Sequence, residues 1–377
     1  MKVLVLDVNG RGGHAHHIFF MCNALADIGL NVVVITTKVH ELDLSKARFA
    51  NKQVLTPHFE KKSSLGKGLF YLFSWLKFCL YMFREKPAVI HLHDFKIPFM
   101  EYYFVKLFHW QKIKVVCSAH NVTHHEKQAA THYLKLLYNS YDGIIAHAKD
   151  NKQKLTASFN VIPEKIHIIP VGEYSFLAGE LQDKKTAKKL LGIPPDRKVV
   201  LFFGYIRKYK GIAVLLESLA IARQSLPEIF LIIAGEPKED FSVYEQTIDR
   251  LNLGDIILSE IKYIPVEDIA TYFSASDIVA LPYINIYQSG ILYLAYAYQR
   301  PVIATNVGGL PEVVEQNKSG FLVPPNDPTE FAGAIEKAFA DLNKLDEMGQ
   351  YAYQKAKQDY SWKGIAKKTV KIYEELA

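Results

Sequence analysis

The sequence predicts an α/β protein of two Rossmann-like domains whose ligand edges face one another across a cleft. Three observations predict it. The chain has 377 residues, and at ~150 residues per domain that is two domains. Short β-branched runs alternate with helical patterns, which is the signature of a parallel sheet covered on both faces. The alternation stops in a polar, Lys-rich stretch near residues 179–198 and then starts again. The expected domains are 1–178 and 179–360, with a C-terminal helix, 361–377, packing back on the first.

In the first half the spacing predicts strands at 3–8, 32–36, 89–92, 115–119, 143–146 and 166–169, with a helix at 15–29. Gly179 to Lys198, ending in Ile193-Pro194-Pro195-Asp196, reads as a linker and a surface helix. In the second half, strands are expected at 199–204, 229–235, 256–258, 277–281, 302–305 and 320–323, with helices at 212–226 and 291–298. Ser361 suits a helix N-cap, and Trp362, Ile365, Ala366, Val370 and Tyr373 then share one face. In open sheets of this kind ligands bind beyond the carboxyl ends of the strands, so two facing edges define the expected site.

Composition narrows the function. Apolar residues make up 49% and charged residues 22%, which is globular usage and excludes disorder or coiled coil for the chain as a whole. The three cysteines, Cys22, Cys79 and Cys117, form no metal or redox pair and suit a reducing, cytoplasmic compartment. The net charge, 45 − 39 = +6, is too small for a dedicated nucleic-acid binder but suits phosphate ligands or an anionic membrane. The first residues, apolar only as far as Val8, read as a buried strand and not as a targeting signal. No stretch reaches the ~20 uncharged apolar residues of a membrane span.

Several stretches could carry chemistry. Gly10-Arg11-Gly12-Gly13-His14-Ala15 fits G-x-G-x-x-A, the turn of nicotinamide-binding domains. The acid expected at the end of the second strand is missing, the nearest being Glu41, beyond the strand. The turn can equally hold an anion or sugar, or simply let helix and strand pack closely. Histidines gather near strand ends: His14, His16 and His17; His91 and His93; His120, His124 and His125. A zinc site is conceivable, but they lie on different elements and no Cys or carboxylate spacing supports one, so the expectation is no metal. His120, directly after the apolar run Val115–Ala119, is the one expected to hydrogen-bond a ligand.

Phe202 to Gly211 is the most informative stretch. A strand ends at Gly204, then Arg207, Lys208 and Lys210 precede Gly211 and a helix. Cations beside a helix N-terminus attract phosphate through charge and through free N–H groups. Tyr287-Gln288-Ser289-Gly290 opens another helix, and Gly308-Gly309-Leu310-Pro311-Glu312 follows another strand. Both offer backbone donors to an anion.

These segments together resemble the retaining glycosyltransferases of family 4, of the GT-B fold. The resemblance runs through the Gly12-Gly13 loop, Ala119-His120-Asn121, Asp142 to His147, Lys165 to Pro170, Gly204 to Gly211, Pro301 to Glu312, Gly320 to Asp327 and Tyr360-Ser361-Trp362. It implies that Gly12 and Gly13 admit the donor phosphates, that His120 contacts the transferred sugar and that Lys210 binds the donor diphosphate. The family's Arg after the glycine at 204 is replaced by Tyr205, and Arg207 can supply that cation. The family's Glu-x7-Glu pair falls on Ile286 and Leu294, so both carboxylates are absent. The sequence is closer to a branch with Gln-Ser-Gly here, in which Gln288, Ser289 and Gly290 take over part of the donor contact, with Glu312 beyond.

The expected activity is therefore metal-independent, retaining transfer of a hexosyl unit from a UDP- or GDP-sugar to a sugar or lipid-linked acceptor hydroxyl, as in bacterial cell-surface polysaccharide or glycoconjugate synthesis. No cofactor is expected, since the nucleotide sugar is a substrate. A catalytically weak scaffold is the alternative the missing carboxylates leave open, and a nicotinamide dehydrogenase is supported by Gly10–Ala15 alone. A last feature spans 58–86. Six Lys or Arg against Glu60 and Glu85 give a local net of 6 − 2 = +4 around an apolar, aromatic run. That pattern suits an interfacial helix on the inner face of an anionic membrane, or a buried helix of the first domain.

Overall fold

The computed structural model describes residues 1–8, 10–55, 64–93, 97–123, 131–178 and 181–376. The chain divides into two compact units, Met1–Gly172 with Tyr360–Ala377, and Glu173–Asp359. In the first unit the elements are β1 (Lys2–Leu6), α1 (Gly12–Asp27), β2 (Asn31–Thr37), β3 (Ala50–Leu55), α2 (Ser64–Glu85), β4 (Val89–His93), α3 (Pro98–Trp110), β5 (Lys114–Ala119), α4 (Thr131–Ser140), β6 (Gly143–Ala146), α5 (Lys149–Phe159) and β7 (Ile166–Ile168). The second unit runs α6 (Lys184–Leu190), β8 (Lys198–Phe203), α7 (Ile212–Ala222), β9 (Ile229–Ala234), α8 (Ser242–Arg250), β10 (Ile257–Glu260), α9 (Ile269–Ala275), β11 (Ile278–Leu281), α10 (Gly290–Ala297), β12 (Val302–Thr305), α11 (Leu310–Val313), β13 (Gly320–Val323), α12 (Pro328–Phe339) and α13 (Leu342–Asp359). Helix α14 (Trp362–Leu376) belongs to the first unit.

Both sheets are parallel throughout. The first has the order β3-β2-β1-β4-β5-β6-β7 and the second β10-β9-β8-β11-β12-β13. The chain reverses its direction of winding beside β1 and again beside β8. Crossovers leave those strands on opposite faces, which opens a crevice at the carboxyl ends of β1 and β4 and another at those of β8 and β11. Inner strands such as Val3–Leu6 and Ile229–Ala234 are buried on both faces. That is why they read as continuous apolar runs rather than alternating ones.

Three expectations change. Strand β3, ANKQVL, was not anticipated: it is an edge strand, largely solvent-facing, with few apolar residues to mark it. The Lys-rich stretch after residue 180 contains the expected surface helix, α6, within the second unit as expected, but it is bonded into that unit and does not act as a linker. Lys184 pairs with Asp277 at 2.7 Å, and the Asp277 carboxylate also accepts from Val199 N at 2.7 Å. Buried Lys188 donates to Pro195 O at 3.2 Å and to Arg197 O. The division between the units falls after Gly172 and not after residue 178. Tyr174 packs under Gly290, and Leu177 O accepts from the Tyr298 hydroxyl, so 173–178 are held by the second unit.

Helix α14 buries Trp362, Ile365, Ala366, Thr369, Ile372 and Tyr373. Trp362 packs against His17 and Phe20 of α1. Gly172 makes room for it, since a Cβ there would lie 2.3 Å from the indole. All three cysteines are buried, and none forms a disulfide.

Candidate functional site

In the second unit the site grows from the carboxyl ends of β8 and β11. Gly204, at φ +103, ends β8 against Gly235, whose added Cβ would lie 1.9 Å from Gly204 O. Close backbone approach therefore fixes glycine here. A short turn, Lys208–Lys210, leads to Gly211 in the left-handed region at φ +72. A Cβ on Gly211 would lie 1.8 Å from Pro282 O, so only glycine lets the β8 loop reach the loop after β11.

That approach delivers Lys210. Its side chain is 8% exposed. Nζ donates to the Tyr283 hydroxyl at 3.0 Å and lies 4.1 Å from the centre of that ring. The Tyr283 hydroxyl meets Ser289 Oγ at 3.1 Å, and Ser289 is the N-cap of α10. Lys210, Tyr283 and Ser289 thus form one chain of polar contacts ending at a helix N-terminus. Two of its members were expected from sequence. Tyr283 was not, because a tyrosine just after a strand carries no motif. Burial pulls the Lys210 ammonium down to about 8; Tyr209 opposes this and Arg207 adds to it. The repulsion from Arg207, itself half-buried, marks a concentration of positive charge. Replacing Tyr283 by Phe removes one partner from a buried ammonium. The expected result is a loss of ~1–3 kcal/mol in urea unfolding, with unchanged stability contradicting the contact.

The loop carrying Gln288 packs on the loop after β12. A Cβ on Gly308, at φ +53, would lie 1.8 Å from Ile286 O, and one on Gly309 would lie 2.1 Å from Gln288 Nε2. Gln288, Ser289 and Gly290 are thereby brought beside Gly309. Glu312 stands in the first turn of α11 with its side chain exposed. Ile286 and Leu294, at the positions of the family's Glu pair, are 5% and 4% exposed and belong to the core.

In the first unit, Gly12 opens α1 at φ +72. Its N–H donates to Glu41 Oε2 at 2.6 Å, and the same oxygen lies 3.4 Å from His16 Nε2. The acid that seemed absent from the turn therefore reaches it, by the chain folding back beyond β2. It occupies the helix N-terminus, where a ribose-binding acid would stand off from it. A phosphate at Gly12 or Gly13 has to displace this carboxylate. Asp7, buried at the end of β1, holds the turn by accepting from Gly10 N at 3.0 Å and from Thr36 Oγ1 at 2.9 Å.

Sheet order also gathers the histidines that sequence had left on separate elements. β4 and β5 are neighbours with His93 beside Ser118, so their carboxyl ends bring His93 to His120. His93 Nδ1 and His120 Nε2 are 3.2 Å apart. His17, in α1 above the end of β1, packs its ring on both, with centroids 5.6 Å and 4.6 Å away. His14 and His147 flank His120 at 4.6 Å and 4.4 Å. Burial first, then mutual repulsion, holds His17, His93 and His120 well below the ordinary histidine value, so all three are neutral at pH 7. His91 is committed elsewhere, to Ser118 Oγ at 2.8 Å and to the Tyr373 hydroxyl. His124 and His125 lie outside the described residues.

Two family models match the chain, one to each unit: Glycosyltransferase Family 4 over residues 11–172 and Glycosyl transferases group 1 over residues 183–355. The chain belongs to the family 4 type of glycosyltransferases, with the GT-B fold. It is 32% identical over 207 residues to the D-inositol 3-phosphate glycosyltransferase of Corynebacterium urealyticum, covering 53% of this chain and 48% of that protein. It is 25% identical over 310 residues to an uncharacterized glycosyltransferase of Methanocaldococcus jannaschii, covering 77% and 75%. The chain thus spans about half the length of the inositol-phosphate relative. Among solved structures, sucrose-phosphate synthase of Thermosynechococcus elongatus aligns with a TM-score of 0.79 at 20% identity, covering 100% of this chain and 98% of that one. Anabaena HepE in complex with UDP and glucose aligns with a TM-score of 0.79 at 21% identity, covering 100% of both.

Proposed function

We propose that this chain transfers a hexosyl unit from a nucleoside-diphosphate sugar, UDP- or GDP-linked, to a sugar or lipid-linked acceptor hydroxyl, with retention and without a metal at the diphosphate. The observation that carries the reading is buried Lys210, joined through Tyr283 to Ser289 at the N-terminus of α10. Bond cleavage at the anomeric carbon leaves the departing diphosphate more negative. A preorganised ammonium and free helix N–H groups stabilise that charge more in the transition state than in the ground state. UDP in HepE crystals supports a nucleotide donor by analogy.

Retention follows from the family. Apolar Ile286 and Leu294 supply no carboxylate nucleophile, so attack is from the front face. The acceptor oxygen bonds to the anomeric carbon as the bond to the phosphate oxygen breaks. The acceptor proton passes to that phosphate oxygen. Gln288, Ser289, Gly290 and Glu312 hold the donor in place of the missing pair.

A thermal-shift screen with UDP, GDP and their sugars tests the donor, because a ligand bound only by the native state raises the melting temperature. Transfer or hydrolysis from the same panel tests the chemistry. The buried apolar pair at 286 and 294 favours one competing reading, a weakly active scaffold in a polysaccharide-assembly complex. Binding without turnover from any donor would decide for the scaffold.

A lipid-linked acceptor lies at a membrane surface, and α2 suits that setting. One face of it, Tyr71, Trp75, Phe78 and Met82, is buried, while Leu69, Phe73, Leu76, Leu80 and Phe83 lie 45–68% exposed on the other. No described helix is long and apolar enough to cross a membrane. We read the exposed face as resting on an anionic bilayer in the synthesis of bacterial surface glycans, at the cytoplasmic side. Lys61 and Lys62 lie outside the described residues, as does the side chain of Lys67. Replacing both Phe73 and Leu80 by Glu should lower partitioning onto phosphatidylglycerol-containing vesicles by ~tenfold or more. Equal binding by wild type and variant, measured by co-sedimentation, would remove membrane docking from the proposal.

A further inference from the structure

The imidazoles of the first unit form a set of donors that the glycosyl-transfer reading uses only in part. One nitrogen each from His17, His93 and His120 lies within 4.8 Å of the others. They come from α1 and from the ends of β4 and β5, elements that the sheet order holds side by side. We propose that His17, His93 and His120 bind one divalent transition-metal ion of the zinc class, with the fourth coordination position open.

The geometry suits such an ion. Zinc binds imidazole at about 2.0–2.1 Å, which in a tetrahedron sets ligand nitrogens ~3.4 Å apart. The His93–His120 pair is already at 3.2 Å. His17 closes the triangle by side-chain rotation, from ring centroids 4.6 Å and 5.6 Å away. The donor set also decides the class of ion. Three imidazoles with no carboxylate among them suit zinc, cobalt, nickel or copper, and not magnesium or calcium, which require oxygen ligands. This separates the site from the diphosphate chemistry assigned to the second unit.

A second observation points the same way. Buried His17 Nδ1 has no hydrogen-bond partner among the described residues, which leaves its lone pair open to an ion. Leaving a buried polar nitrogen unpaired costs ~1–3 kcal/mol, and a packed core normally avoids it. Three histidines buried for packing alone would be better replaced by apolar residues. A cation that takes one lone pair from each ring accounts for placing three of them together.

The test is cobalt binding to the full-length, chelator-treated protein, with no donor or acceptor present, so that its outcome is independent of whether the chain transfers sugar. Titration with Co(II) should develop visible ligand-field absorption of low-symmetry, four- or five-coordinate cobalt, saturating at one equivalent and abolished by Zn(II). His17→Gln and His93→Gln should each weaken binding beyond the ~10–100-fold that outer-shell changes cost. His109→Gln, a histidine at the far end of α3 paired with Asp142 at 2.9 Å, should bind as wild type. Circular dichroism checks that the variants fold. X-ray absorption of the zinc-loaded wild type keeps the test independent of any variant. Octahedral cobalt, unchanged binding by folded His17→Gln and His93→Gln, or a zinc shell without three imidazoles would each overturn the site.

Discussion

Lys210→Ala should reduce sugar transfer by roughly 10²–10³-fold, the ~2–4 kcal/mol scale of one preorganised electrostatic group removed from a developing negative charge. The size of the effect comes from where the ammonium sits. It is 8% exposed, so water screens it little. It is also held in one position by the Tyr283 hydroxyl at 3.0 Å, so no reorganisation is needed when the diphosphate departs. The loss should appear in turnover more than in affinity for the intact donor, because the charge grows as the bond breaks. Turnover within twofold of wild type would exclude the role.

The same group sets a pH dependence. Burial lowers the Lys210 ammonium from 10.5 to about 8, so in the free protein the cation is present below that pH and lost above it. Nucleotide affinity should therefore fall as pH rises through about 8, and the fall should vanish in Lys210→Ala. Stability runs the other way. Between about 8 and the ordinary lysine value the unfolded chain binds the additional proton, so the unliganded protein gains stability as pH rises through that window. A bound diphosphate stabilises the charged form and moves the window upward. Opposite slopes for binding and for unliganded stability identify a buried lysine, whereas a surface lysine titrates too high to give either.

How far the sequence discloses this protein depends on whether a signal is local. Inner strands such as Val115–Ala119 and Ile229–Ala234 are legible because burial on both faces demands an unbroken apolar run. Strand β3 is not, because an edge strand answers to only one neighbour and tolerates Asn51, Lys52 and Gln53. The glycine at 211 and the lysine beside it are legible, since a strand end, cations and a helix start follow within a few residues. Tyr283 is not, because its role depends on Lys210, far away in sequence. Glu41 shows the same limit in the other direction. Its distance from the glycine turn along the chain suggested that no acid was there, yet the fold returns it to Gly12 N at 2.6 Å. The histidines fail for a topological reason: only the neighbouring of β1, β4 and β5 makes one cluster of three elements.

His120→Ala, assayed in chelator-treated buffer so that any metal effect is removed, should lower transfer by ~10²-fold while leaving nucleoside-diphosphate affinity nearly unchanged. The proposed roles of Lys210 and His120 require this split. The cations proposed to hold the diphosphate, Arg207 and Lys210, are in the second unit, and His120 is in the first, at the carboxyl end of β5 beside the reversal of winding between β1 and β4. His120 has no proposed part in holding the diphosphate. It can orient a sugar hydroxyl. Its imidazole is suited to that task because burial and the neighbouring histidines keep it neutral, so it offers a hydrogen bond without a charge that the sugar would have to compensate. The contact His120 Nε2 makes with His93 Nδ1 at 3.2 Å fixes the ring plane, which is the orientation that effective positioning needs. His120→Asn, which keeps one donor of shorter reach, should recover part of the rate. A variant that loses transfer and nucleotide affinity in equal measure would place His120 in the diphosphate site and refute its assignment to the sugar.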